Sequence, residues 1–88
     1  MVEKIQKILD IAKGLDPNSS IKKSGNSYNI VTSENTLEFN YRYDEYYDCN
    51  RYDAYLDSGI IQIPESIGDF ILSTIDNIIK QQKNINIR

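Results

Sequence analysis

Leu37, Phe39, Tyr41 and Tyr43 alternate with Glu38, Asn40, Arg42 and Asp44, so apolar and polar side chains change places at every step of an eight-residue run. A period of two puts one set on each side of an extended chain. This segment is therefore a half-buried strand, and it needs a sheet around it. The two ends of the chain have a different period. Val2, Ile5, Ile8, Leu9 and Ala12 recur at helical spacing with Glu3, Lys4, Lys7, Asp10 and Lys13 between them, and Gly14 and Pro17 stop the pattern. A Glu3–Lys7 pair is expected on the polar side of that helix. Ile67, Phe70, Ile71, Ile75, Ile78 and Ile79 repeat the helical spacing near the other end. Ser66 and Asp69 precede that run at the spacing of a capping box, and Lys80 and Lys83 suit a C-terminal dipole.

The middle of the chain is short and alternating. Residues 20–23 and 28–33 read as strands around a turn at 23–26. The alternation fails at Glu45, Tyr46 and Tyr47, where a carboxylate falls on the apolar side, so a bulge or a strand end is expected there. Residues 48–51 read as a turn. Tyr52, Ala54 and Leu56 then face inward and Asp53, Tyr55 and Asp57 outward, and residues 57–59 turn the chain into a short apolar strand at 60–63. In the tail, 84–88, Ile85 and Ile87 alternate, which frames either an added edge strand or a frayed end. The expected architecture is a single α+β domain over 1–88: an N-terminal helix, an antiparallel sheet of three to five strands and a C-terminal helix. Both helices lie on one sheet face, and the other is left to solvent or a partner.

The side chains present exclude much chemistry. There is no histidine, so the commonest general base and zinc ligand are both missing. Cys49 is the one cysteine, without an imidazole to take its proton and without a second thiol, which argues against a nucleophile, a metal site and a disulfide. Glycine-rich phosphate loops are absent, and a calcium loop read from Asp48 meets Asp53 where glycine is needed and Gly59 where the bidentate glutamate belongs. No catalytic residue, metal ligand or cofactor is assigned, and the chain is expected not to be an enzyme. An N-terminus that mixes charged and apolar residues does not read as a signal peptide, and no run approaches the roughly 20 apolar residues of a membrane span. A soluble, cytoplasmic protein without membrane contact is expected.

Net charge is −3, and its distribution is uneven: residues 1–37 sum to +1, residues 38–57 to −4 and residues 58–88 to zero. Such a balance speaks against direct nucleic-acid binding, which needs a basic face to neutralise phosphates. The acidic stretch also holds six of the seven tyrosines. Tyr28, Tyr41, Tyr43 and Tyr52 are in phase with apolar neighbours and read as residues packed on the core with their hydroxyls reaching water. Tyr46, Tyr47 and Tyr55 are out of that phase. Together with Asp44, Glu45, Asp48, Asp53 and Asp57 they make a candidate contact surface, in which tyrosine supplies area at low entropic cost and carboxylates select a basic partner. The competing readings are tyrosine as sheet filler and a solvated acidic face, with Arg42 and Arg51 neutralising part of it.

Small size, acidity, the lack of histidine, the helix–strands–helix order and carboxylates clustered on the sheet resemble the small phage-encoded anti-CRISPR and anti-restriction proteins. Heavy use of Ile, Asn, Lys and Tyr with three Arg is the usage of AT-rich coding, as in a low-GC bacterium or its phages. The resemblance implies a protein inhibitor that occupies the nucleic-acid-binding surface of a basic effector of bacterial defence in the host cytoplasm. Other functions compatible with the same residues are an immunity protein or antitoxin masking a toxin nuclease, an oligomeric sponge for a signalling nucleotide held by Arg42, Arg51, Lys22 and Lys23, and self-assembly alone. A homodimer is compatible with all of them.

Overall fold

The computed structural model describes the backbone of residues 2–87 and the side chains of residues 3–83. Helix α1 (Val2–Lys13) leads into strands β1 (Ser20–Ser24), β2 (Ser27–Val31), β3 (Thr36–Asp44), β4 (Cys49–Leu56) and β5 (Gly59–Ile63), and helix α2 (Glu65–Ile87) follows. Every strand pair is antiparallel and the spatial order β1-β2-β3-β4-β5 equals the chain order. Two tight turns show why. Gly25 takes a φ of 60° between β1 and β2, and Asp57 and Ser58, at φ 50° and 79°, form the two-residue turn between β4 and β5. Two successive positive φ values match the right-handed twist of paired strands, which is what a short hairpin connection requires.

Alternation along the strands sends Tyr28, Ile30, Leu37, Phe39, Tyr52, Ala54, Leu56, Ile61 and Ile63 to one face, where they are buried together with Ile8 and Ala12 of α1 and Ile71 and Ile75 of α2. Both helices therefore cover the same side of the sheet, as the residue pattern predicts. Burial of each large aliphatic side chain contributes about 1.5–3 kcal/mol, so this one layer supplies most of the driving force.

The position of α2 over the sheet is set by aromatic contacts. Gly68 is buried, and a Cβ placed on it would come within 2.1 Å of Tyr52 Cδ2, so the Tyr52 ring lies against bare helix backbone. One residue on, the Asp69 carboxylate accepts a hydrogen bond from the Tyr52 hydroxyl, and two turns later Asp76 accepts one from Tyr28 at 2.7 Å. Phe39 fills the space between, its ring centroid 5.7 Å from that of Tyr52 and 6.4 Å from that of Tyr28. Desolvation, with the adjacent carboxylate, pushes the Tyr52 phenol up to about 12 and raises Tyr28 as well. Farther along, Gln82 Nε2 donates to the Ser19 carbonyl at 2.9 Å. Helix α2 thus bonds to β4, to β2 and to the residue before β1.

Several expectations need correction. Helix α2 begins at Glu65, and the Gly68 N–H bonds to the Pro64 carbonyl at 2.8 Å, so Ser66 lies inside the first turn and caps nothing. Pro64 has no N–H to lose at a helix start and moves that start ahead of Ser66. Phe70 is 47% exposed because the inward stripe runs through Gly68, Ile71, Ile75 and Ile78, about 100° around the helix from it. Residues 84–87 continue the helix, with neither glycine nor proline to stop it, so the tail is no edge strand and Lys80 and Lys83 fall short of the last turn; Arg88 lies outside the described residues. The polar side of α1 pairs Gln6 with Asp10 at 2.9 Å, and Glu3 and Lys7 form no ion pair within 4 Å. A solvated pair of that kind gains only about 0.2–0.5 kcal/mol and does not hold two long side chains together. No described helix is long and apolar enough to cross a membrane.

Candidate functional site

Strands β3 and β4 are longer than their neighbours, and the excess is at one end. β2 pairs with β3 only as far as Asn40, and β5 pairs with β4 only from Tyr52 onward. Beyond that line Arg42↔Arg51, Tyr43↔Asn50 and Asp44↔Cys49 pair with each other alone, and residues 45–48 close the ribbon. The turn is therefore at 45–48 and not at 48–51 as the sequence suggests, and the failed alternation at Glu45 marks the end of β3. Asp48 takes φ 52°, a left-handed conformation that aspartate tolerates better than most residues, and so delivers Cys49 back into the sheet.

One carboxylate organises this tip. Asp44 Oδ1 accepts from the backbone N–H groups of Tyr46 at 3.0 Å and Tyr47 at 3.3 Å, while Oδ2 accepts from Arg51 Nε at 3.2 Å. Against partial desolvation, which works the other way, the Tyr47 N–H, the Arg51 guanidinium and the Tyr46 N–H hold its carboxyl below the usual carboxylate range. The Arg51 guanidinium also lies over the Tyr47 ring, 4.8 Å from its centroid, and Tyr47 packs edge-on against Tyr46 at 4.8 Å. On the other strand the Tyr43 hydroxyl donates to Asp48. Tyr46 is nonetheless 86% exposed, Tyr47 62% and Tyr43 55%. Three phenol rings are thus oriented by local contacts and left bare, an arrangement that costs little entropy on binding because it is already ordered.

Tyr43 corrects the inward assignment made from alternation. It does face the helical side, but it stands past the reach of the helices, so no core lies beneath it. Tyr41, one pair nearer the sheet, is half-buried and stacks on Tyr28 at 6.1 Å.

The uncovered face of the sheet carries the remaining acidic candidates. Asn40 is opposite Asp53 in the register and Glu38 is opposite Tyr55. Asn40 Nδ2 donates to Glu38 Oε2 at 3.0 Å and to Asp53 Oδ1 at 3.3 Å, and Ser27 donates to Asn40 Oδ1 at 2.5 Å. Tyr55, 40% exposed, lines a depression of about 790 Å³ with Asn29, Thr36, Glu38, Asp57 and Ser58. Asp57 ties two loops together: its carboxylate accepts from the Thr36 N–H at 3.0 Å and from Asn35 Nδ2 at 2.7 Å, which hold it below the usual range.

The eight sequence candidates accordingly fall into three places. Asp44, Glu45, Tyr46, Tyr47 and Asp48 are gathered at the tip; Asp53 and Tyr55 lie on the uncovered face; Asp57 is at the far end of β4. Nine residue steps separate Asp48 from Asp57, roughly 25–30 Å of strand at about 3.3 Å per residue. They form a stripe along one hairpin and not a single cluster. Sequence reasoning missed Tyr43, Glu38 and Asn40 as members. Glu38 and Asn40 were visible as outward-facing residues, but their partnership with Asp53 depends on a register that no residue pattern specifies.

Desolvation and the nearby Glu65 carboxylate push the Cys49 thiol up, away from the thiolate that nucleophilic chemistry requires. Among the described residues no three Asp, Glu or Cys side chains converge as a metal site. Comparison with protein-family models, with curated proteins and with solved structures finds no match to this chain.

Proposed function

We propose that this protein is an acidic binding module that inhibits a basic, nucleic-acid-handling effector of bacterial defence, acting in the cytoplasm with the β3–β4 ribbon as its leading element. The observation that carries this reading is the ribbon itself: ten residues, 42–51, that pair with no other strand, present three exposed tyrosines and contribute nothing to the core. Exposed aromatic rings on an ordered support are the composition of interface hot spots. Glu45 and Asp48 at the tip and Glu38 and Asp53 on the sheet surround them with negative charge, while Asp44 is already paired with Arg51. That charge favours a cationic groove and speeds encounter with it, and a partner's arginines find both carboxylates and ring faces to bind.

The test is affinity capture from lysate of a low-GC host that carries defence systems, with wild type beside the Asp48→Lys, Asp53→Lys double variant. Expected is retention by wild type alone of a basic nuclease or nucleic-acid-binding complex, released by added duplex DNA and by salt. Capture that ignores both the charge reversal and the competing DNA would overturn the reading.

A further inference from the structure

We propose that β5 is the seam of a two-fold dimer of this chain, in which two β5 edges pair antiparallel and join two five-stranded sheets into one of ten strands. This is independent of the ribbon and of what the ribbon binds. β1 and β5 are the two edges of the sheet, and edge strands present unpaired backbone groups that proteins normally guard. β1 is guarded by exposed Lys22 and Lys23, which would meet their own copies across a symmetric β1 seam. β5, Gly-Ile-Ile-Gln-Ile, carries no charge and no proline.

The register of β5 determines which of its groups are free. The two-residue turn at Asp57 and Ser58 makes Leu56↔Gly59 the hydrogen-bonded closing pair, so Gly59, Ile61 and Ile63 bond to β4 while Ile60 and Gln62 turn their N–H and C=O groups away from it. No backbone partner for those groups is found among the described residues. An antiparallel pairing centred on Ile61 sets Ile60 opposite Gln62 of the second copy, twice, and so satisfies all the outward groups with four hydrogen bonds. The same register sets Gly59 opposite Ile63 of the second copy. The Lys4 ammonium lies beside Gly59, 3.6 Å from where a Cβ would stand, and exposed Glu65 follows Ile63 by two residues, so opposite charges meet on the helical side at both ends of the seam. On the uncovered face the seam shields Ile60, which is 61% exposed in the single chain.

Sedimentation of the full chain from micromolar to millimolar concentration tests this. Wild type is expected at twice the chain mass. Ile60→Lys and Gln62→Pro, the second removing an outward N–H and no bond to β4, are each expected to weaken association by roughly tenfold or more with unchanged circular dichroism. Lys4→Glu should weaken it too, and Lys4→Glu with Glu65→Lys should restore it. If Gln62→Pro fails to fold, Ile60→Lys decides. Wild type that stays at the single-chain mass throughout, or a dimer that survives Ile60→Lys, overturns the proposal.

Discussion

Tyr28 and Tyr52 differ from Tyr46 and Tyr47 in everything except chemistry. The first two are buried at 0% and 5% exposure with their hydroxyls on carboxylates of α2, and the second two stand at 86% and 62% exposure with no core beneath them. All four belong to one meander of strands. What separates them is whether a helix lies above: under α2 a phenol is a structural bolt, and past the last flanking strand it is free surface. The difference teaches that tyrosine content alone says little about binding until the reach of the covering layer is known.

The comparison breaks most visibly at Gly68. Alanine there would ordinarily favour a helix by about 1 kcal/mol, but its methyl would overlap Tyr52 ring carbons that have nowhere to move. Gly68→Ala is expected to lose about 2–3 kcal/mol in denaturant unfolding; a neutral or stabilised variant would show that α2 does not rest on that ring. Next in size is Tyr28→Phe, expected to cost about 1–2 kcal/mol by stripping Asp76 of its donor. Asp76→Asn, which keeps an acceptor, should cost less, and an unchanged stability of Tyr28→Phe would mean that the bond is idle. The tip gives the opposite result. Tyr46→Ala with Tyr47→Ala is expected to change stability by no more than about 0.5 kcal/mol while abolishing capture of the partner, and a large stability loss would make the tip structural.

Titration separates the two populations more finely. A phenol whose folded pKa is raised contributes stability in full below its unfolded value near 10, and loses it as pH rises through the folded value. Stability is therefore expected to fall between about pH 10 and 12 through Tyr52, and on into more alkaline solution through Tyr28. Absorbance of phenolate against pH, compared with unfolding at each pH, checks this; full ionisation of all seven tyrosines near pH 10 in the folded protein would contradict it. Asp44 runs the other way. Its depressed folded pKa means that the order it imposes on the tip is present above the unfolded value near 3.9 and disappears as pH falls through the folded one. The amide resonances of Tyr46 and Tyr47 should report that loss together, with the core still folded; independent titrations would show that Asp44 does not cap both.

Period-two alternation from Leu37 to Asp44 and helical spacing at both ends were enough to indicate two helices around an antiparallel sheet of three to five strands, of which the structure has five, because each signal repeats several times within one element. Boundaries were less legible. Pro64 displaced the start of α2 from Ser66, and the αL conformation of Asp48 moved the ribbon turn back to 45–48, both through backbone effects at one residue. The outward residues of the candidate site were readable as outward. Asn40 bridging Glu38 to Asp53 was not, since it arises from pairing between strands. Nor was the exposure of Tyr43, which depends on where β2 and β5 stop.

Because strand order follows chain order, every strand pairing within the sheet joins neighbours in sequence, and backbone pairing ties the 42–51 ribbon to the remainder of the sheet only at its base. A segment so attached behaves as a cartridge. Its length and tip residues can be exchanged, in evolution or by grafting, while the pairing of β1, β2 and β5 and the seating of α2 stay as they are, so one scaffold can be readdressed to new targets without being rebuilt.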